Sequence, residues 1–299
     1  MRLLVTGASG FVGRAVLRAT PADWETVAVT REPVPWAGEV QRCTWVTADL
    51  TSPDFPRSLP GDVDAVVHLA QSRLDRSFPA GALDVVDINV GATARLLDFA
   101  REHAVAQVLL ASTATVYQPQ SRPLAENDPL DCSTLYAASK RSAELLAGSY
   151  AGTTASRVLR FFTVYGGGQR GRLIAELIDR VRGGRAVTLA GEHGLGLSPI
   201  HVDDVAATLW AAAGTPPPDD TSEIVNVGGT EALSIRAIAE QIGTALGQEP
   251  TFEHTGRPEP GGFVADRTRF EELLGGPEPR PFAEGIALTV GHERDGAPL

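Results

Sequence analysis

The chain has 299 residues, 43% of them hydrophobic, with a formal net charge of −11 and a pI near 5.0. That length suits a full doubly wound domain with a smaller lobe, and the acidic balance argues against nucleic-acid or anionic-membrane partners, which most of the surface would repel. The first residues run into glycines rather than a secretory core, no apolar run nears the roughly 18 residues of a membrane span, and Cys43 and Cys132 lie far apart, so a cytoplasmic protein without disulfides or a metal site is expected.

Residues 1–165 alternate short β-branched runs with helical patterns, the order of a parallel sheet covered on both faces. Strands are predicted over 3–6, 26–30, 44–47, 65–69, 107–112 and 156–160, six in an open sheet with its ligand crevice beyond their carboxyl ends. Helices are predicted near 13–19, 83–101 and 133–150. The last two are apolar on more than one face, which fits burial against the sheet and against a second subunit of a homodimer. Past Tyr165 come three glycines, a helix near 173–182, a Gly-rich loop over 191–196, and a strand and helix around 200–213. The Pro-rich linker 215–220, a strand at 224–227 and a helix near 234–246 follow. The expected fold is α/β: a Rossmann-type doubly wound parallel sheet in residues 1–165 plus approximately 199–228, and a smaller C-terminal substrate lobe in 166–198 and 229–299.

Gly7, Gly10 and Gly13 fall directly between the first strand and its helix, and that context makes the pattern specific. Glycines permit a tight turn and a close backbone approach, while the helix amino terminus, with Phe11 and Val12 in its first turn, offers free N–H groups to a pyrophosphate. Where the second strand ends, an NAD-binding domain usually carries an acid for the ribose hydroxyls; here stands Arg31. A guanidinium pairs with a 2′-phosphate, so NADP(H) is favoured and NAD(H) is the alternative.

Tyr136 and Lys140 sit at i and i+4 in a predicted helix, which puts phenol and ammonium on one face. A nearby cation lowers a phenol's pKa, so the lysine is expected to activate the tyrosine as an acid or base and to hold ribose hydroxyls. Lys140 is the single lysine among 26 basic residues, so chance placement four residues after a tyrosine is a poor explanation for it. Upstream, a buried strand ends in Ser112 and Thr113, at the crevice, and Thr113 is the candidate to bond a substrate oxygen.

Together these residues resemble the extended short-chain dehydrogenase/reductases, the epimerase/dehydratase group that acts mostly on nucleotide-activated sugars. The resemblance covers nearly the whole chain. Besides the glycine turn and the Tyr136–Lys140 pair, it rests on Ala48-Asp49-Leu50, His68-Leu69-Ala70, Asn89-Val-Gly-Ala-Thr93, Ser112-Thr-Ala-Thr-Val-Tyr117, Leu159-Arg-Phe-Phe-Thr-Val-Tyr165 and Ile200-His-Val-Asp-Asp-Val205. It implies that Asp49 and Leu50 flank the adenine, that Leu69, Ala70 and Gln71 line the middle of the cofactor, and that Thr113 is the catalytic hydroxyl. Asn89 is expected to anchor its helix. Ser112, Thr163 and Arg257 are the substrate-side candidates, Arg257 by its likeness to a C-terminal diphosphate-binding arginine. In the family's 4,6-dehydratases an acid and a base follow the catalytic hydroxyl; here Ala114 and Thr115 do, which argues against dehydration. A second departure is Leu197, where the family commonly has a phosphate-binding arginine.

An NADPH-dependent ketoreductase acting on a keto group of a nucleotide-activated (deoxy)sugar or related natural-product intermediate is therefore expected. The alternative is a nucleotide-sugar epimerase with retained NAD(P), and a non-catalytic NADP(H)-sensing protein stands behind both.

Overall fold

The computed structural model describes residues 1–75, 77–218 and 221–294. Among these, seven parallel strands form one sheet: β1 (Arg2–Thr6), β2 (Glu25–Thr30), β3 (Cys43–Thr47), β4 (Ala65–His68), β5 (Gln107–Thr113), β6 (Ser156–Phe161) and β7 (Ser222–Val227). Their order is β7-β6-β5-β4-β1-β2-β3, so the chain reverses direction across the sheet between β1 and β4. That reversal opens a crevice beyond the carboxyl ends of the two strands, the place where open α/β sheets take ligands.

The expected six strands are present, and the strand expected at 224–227 is β7, which joins the same sheet as its seventh. It pairs with β6 from Ser222 opposite Ser156 to Val227 opposite Phe161. Nothing local in the sequence announces a pairing between segments 66 residues apart. The end of the predicted Pro-rich linker, Asp219 and Asp220, and the last residues of the predicted lobe, 295–299, lie outside the described residues.

Alternation along β1 divides the core. Leu3 and Val5 face one side, where Val16 and Leu17 of α1 (Phe11–Arg18) meet Val205, Leu209 and Trp210, the last three carried on a helix over Val202–Gly214. Leu4 faces the other side, among Val66, Val108 and Leu110 of the sheet, with Leu96, Leu97, Ala143 and Ala147 above them. The predicted helix over 83–101 is one helical run in three parts: α2 (Ala82–Val86), a wider π-helical turn (Asp87–Gly91) and α3 (Ala92–Glu102). The interruption places Asn89 in the interior, where Oδ1 accepts from the Ser72 backbone N–H at 3.0 Å and Nδ2 donates to Ser139 at 2.9 Å. Ser139 belongs to α4 (Leu135–Ser149), whose first turn is capped by the Thr134 hydroxyl, accepting from Ala137 N–H.

A third apolar cluster gathers α5 (Leu173–Arg182), the helix over Val202–Gly214 being α6, with α7 (Ile235–Leu246) and α9 (Phe282–Arg294), the short α8 (Thr268–Leu274) lying between them in sequence. In it Ile174, Ile178, Ile238, Ile242, Phe282 and Ile286 are buried together. Leu97, fully buried between α3 and the sheet, sits where a cavity cannot collapse without moving both. Leu97→Ala should lower unfolding stability by about 2–5 kcal/mol in urea titration while leaving the circular dichroism spectrum native; a loss below 0.5 kcal/mol would contradict this packing.

Candidate active site

A cleft of about 940 Å³ lies at the carboxyl ends of β1, β2, β4, β5 and β6. Its floor begins with the glycine turn. Gly10 N–H donates to Gly7 O at 2.9 Å, closing a turn in which Gly7 has a φ of +68°. A Cβ on Gly7 would lie 2.6 Å from the Ala70 nitrogen, and one on Gly13 would collide with the Gly7 carbonyl oxygen. The space is therefore available only to hydrogen, and it lets β1 and β4 hand their loops to the crevice side by side. The expected cofactor-side residues Gly7, Gly10, Phe11, Val12, Gly13, Arg31, Asp49, Leu50, Leu69, Ala70 and Gln71 all line this cleft. Arg31 is exposed at the end of β2, and Arg14, on α1, stacks its guanidinium over Trp36 at 4.4 Å.

Thr113, Tyr136 and Lys140 line the same cleft. Thr113 ends β5; Tyr136 and Lys140 stand one turn apart near the start of α4, as the spacing requires. The phenol donates to Gln71 Oε1 at 3.3 Å, and the Thr113 hydroxyl lies 3.0 Å from that of Thr115. Lys140 Nζ, buried, donates to the Ala111 carbonyl at 3.0 Å.

The electrostatics correct one expectation. Lys140 was expected to pull the Tyr136 phenol down; instead burial pushes it above its ordinary value, opposed by the neighbouring Thr113 hydroxyl and the charge of Arg172. Burial acts on the lysine too, lowering it to about 8, while Glu144 and Asp75 oppose that shift. Both groups are desolvated together, and for each the loss of water outweighs its neighbours.

Two substrate-side candidates also stand differently from expectation. Ser112 lines the cleft, but its hydroxyl is committed to Glu144 Oε1 at 2.5 Å, because a buried carboxylate needs its lone pairs filled. Arg257 does not line the cleft; it is exposed on a loop whose backbone bonds Gly191 and Thr255. Thr163 lines it, beyond the end of β6. Residues not anticipated include Arg73, Gln169, Arg172 and Phe263. Arg172 had one readable mark: it precedes the first turn of α5, where the helix dipole disfavours a cation. It lies 3.8 Å from Asp75.

Residues 3–228 match the NAD dependent epimerase/dehydratase family. The chain belongs to that family. It is thus an NAD(P)-dependent enzyme of the short-chain dehydrogenase/reductase type, as its motifs imply. A dTDP-glucose 4,6-dehydratase of Streptomyces antibioticus is 32% identical over 99% of this chain and 93% of its own length. A probable UDP-glucuronate 4-epimerase of Rhizobium meliloti is 26% identical over 83% of each. Among solved structures, MoeE5 in complex with UDP-glucose and NAD superposes with a TM-score of 0.83 at 28% identity, covering 99% of both chains. The UDP-glucuronic acid 4-epimerase of Bacillus cereus, in complex with UDP-glucuronic acid and NAD, shares the fold, with a TM-score of 0.85 at 24% identity over 99% of this chain and 100% of that one.

The lysine carries a pH signature. Its folded value of about 8 lies below its ordinary 10.5. Between the two the unfolded chain holds the extra proton, so the stability linked to this group is complete above pH 10.5 and is lost as pH falls through 8. Urea midpoints measured from pH 7 to 10 should therefore rise more steeply for the wild type than for Lys140→Met; parallel lines would mean that the lysine titrates normally.

Proposed function

We propose that the chain is an epimerase of nucleoside-diphosphate sugars, which oxidises one sugar hydroxyl to a ketone and reduces it from the opposite face with the dinucleotide retained. The observation that carries this reading is that Thr113, Tyr136 and Lys140 share one cleft with the glycine turn. That turn fits a pyrophosphate, since its backbone cradle is one that a Cβ would fill. A bound nicotinamide supplies the chemistry of accepting a hydride and giving it back.

The protein's own residues do the rest. The Thr113 hydroxyl orients the reacting oxygen, and Tyr136 Oη takes its proton as the carbon loses hydride, then returns that proton when hydride comes back. Lys140 holds the ribose hydroxyls and supports the phenolate. Because burial raises the Tyr136 phenol, the oxidative half requires it to shed its own proton first, which the positive charge of a bound oxidised nicotinamide would favour.

The epimerases and the UDP-glucose complex among the similar proteins support this reading over net reduction. The likeness to dTDP-glucose 4,6-dehydratase is a weaker guide to the chemistry, because Ala114 is buried and apolar and Thr115 carries only a hydroxyl. Arg73 and Arg172 in the cleft favour a sugar that is itself anionic, such as a hexuronate, whose carboxylate would take the place that Asp75 holds beside Arg172. The substrate lobe is assigned to the third apolar cluster and its helices.

A second reading, a ketoreductase consuming NADPH, is favoured by Arg31 alone. If Arg31 meets a 2′-phosphate, Arg31→Asp should weaken NADPH binding by about tenfold or more, the loss of one charge-assisted contact, in calorimetric titration. Equal NADPH affinity in both proteins removes the support for this reading.

The two readings separate in one reaction. Incubated with UDP-glucuronate and catalytic NAD(P), the protein should give the 4-epimer by proton NMR without net change at 340 nm, and Tyr136→Phe should lower that rate by about 10²–10⁴-fold. Stoichiometric NADPH consumption with a keto-sugar, and no epimer, would overturn the epimerase assignment.

A further inference from the structure

We propose that Glu144 is a positioning residue: its buried carboxylate, by holding the Ser112 hydroxyl against α4, fixes the strand end that carries Thr113 and the Lys140 acceptor. This rests on the reading in which Thr113, Tyr136 and Lys140 orient the reacting oxygen and move the proton that accompanies hydride transfer.

Glu144 lies one helical turn beyond Lys140, and its side chain is fully buried. A carboxylate taken out of water is costly unless it is paired and hydrogen-bonded. Arg160 supplies a two-pronged contact, Nε to Oε1 at 2.9 Å and Nη2 to Oε2 at 2.7 Å, and Arg141 adds another to Oε2 at 2.9 Å. Two guanidinium groups already balance the charge. The remaining contact, from Ser112, adds nothing to that balance, but it reaches the active site.

Its placement gives it a consequence. Lys140 grips the Ala111 carbonyl and Glu144 grips the neighbouring Ser112 side chain, so one turn of α4 holds two consecutive residues of β5. Thr113 is the next residue along. A two-point hold of this kind fixes both rotation and sliding of the helix against the strand, and hence the separation of the phenol from the threonine hydroxyl. Reaction rates are steep in that separation, since a misplacement of about 1 Å costs on the order of 10²-fold.

The same carboxylate acts on the ammonium through space. Among the described residues, Glu144 from α4, Asp75 from the loop after β4 and His68 from β4 interact with Lys140, and Tyr136 lies one turn before it on α4; burial keeps His68 neutral by pushing it down to about 3. Of these, Glu144 and Asp75 favour the charged lysine.

A purely structural ion pair would leave catalysis alone once the fold is intact, and two variants distinguish the cases. Ser112→Ala removes only the tether and leaves both arginine contacts. It should lower kcat on the order of tenfold, with KM for the nucleotide sugar and the melting temperature near wild type. Glu144→Gln keeps the shape and removes the charge. Because Lys140 is the sole lysine, protein labelled with ¹³C at lysine Cε gives one resonance, whose pH titration reads this ammonium without any substrate. Its midpoint should fall in Glu144→Gln. A wild-type kcat in Ser112→Ala, or an unmoved lysine midpoint in folded Glu144→Gln, would overturn the proposal. Should the wild type turn over no nucleotide sugar, the functional reading fails, and the lysine titration alone then decides whether Glu144 governs the ammonium.

Discussion

Two backbones approach each other too closely for any side chain between them, and the site depends on that contact. Gly7, in the left-handed region, lies against Leu69 and Ala70, with Gly13 tucked over the Gly7 carbonyl. The sheet order sends the chain outward on opposite sides of β1, and this glycine contact, beside the Leu69 N–H donating to the Thr6 carbonyl at 3.2 Å, keeps the two resulting loops together at the crevice. A methyl group there would pry apart the loop that would meet a pyrophosphate and the loop that carries Gln71, the hydrogen-bond partner of Tyr136. Backbone geometry at one end of the cleft thus reaches the Tyr136 phenol at the other.

Charge is distributed in a second, complementary way. Basic residues other than Lys140 are all arginines, and two of them, Arg157 and Arg160, are buried against Glu223 and Glu144 within or beside the sheet. A planar guanidinium can satisfy a buried carboxylate with two parallel bonds, which a compact ammonium cannot. Arg160 also stacks over Tyr117, whose hydroxyl donates to the buried Asn226 amide at 2.7 Å. The framework behind the cleft is therefore polar yet closed. The one lysine stands where that framework meets the cleft, its ammonium donating to the Ala111 carbonyl.

Much of this was legible in the sequence because it was local. Each strand read from β-branched runs exists within a residue or two, and the glycine turn, Arg31, Thr113 and the Tyr136–Lys140 pair meet in one cleft as their spacing and the family likeness implied. What was not legible depended on distant partners. The place of β7 is set by β6, far upstream, and the commitment of Ser112 by a glutamate 32 residues later. The raised Tyr136 value follows from burial, which no i to i+4 spacing reports. Arg257 failed for a different reason: a motif in a Pro/Gly-rich tail says little about where the loop goes, and here it stays in solvent. Arg172 carried little signal because the glycine-rich segment before it has no periodicity of its own, and only the folded chain brings Gln169 and Arg172 to the cleft.

The widened turn at Asp87–Gly91 has an effect on surface as well as on Asn89. One residue more per turn advances the helix by roughly 100° of phase, so positions on either side of it no longer belong to the same stripe. Before the turn, Asp84 looks into the cleft while Leu83 and Val86 stay in solvent; after it, Leu96 and Leu97 lie flat on the sheet. One helical run therefore serves two unrelated surfaces, and a hydrophobic periodicity taken across its whole length averages them into neither. It also makes this stretch more sensitive to a change in length than to a change in side chain: removing one residue would put both faces out of register at once.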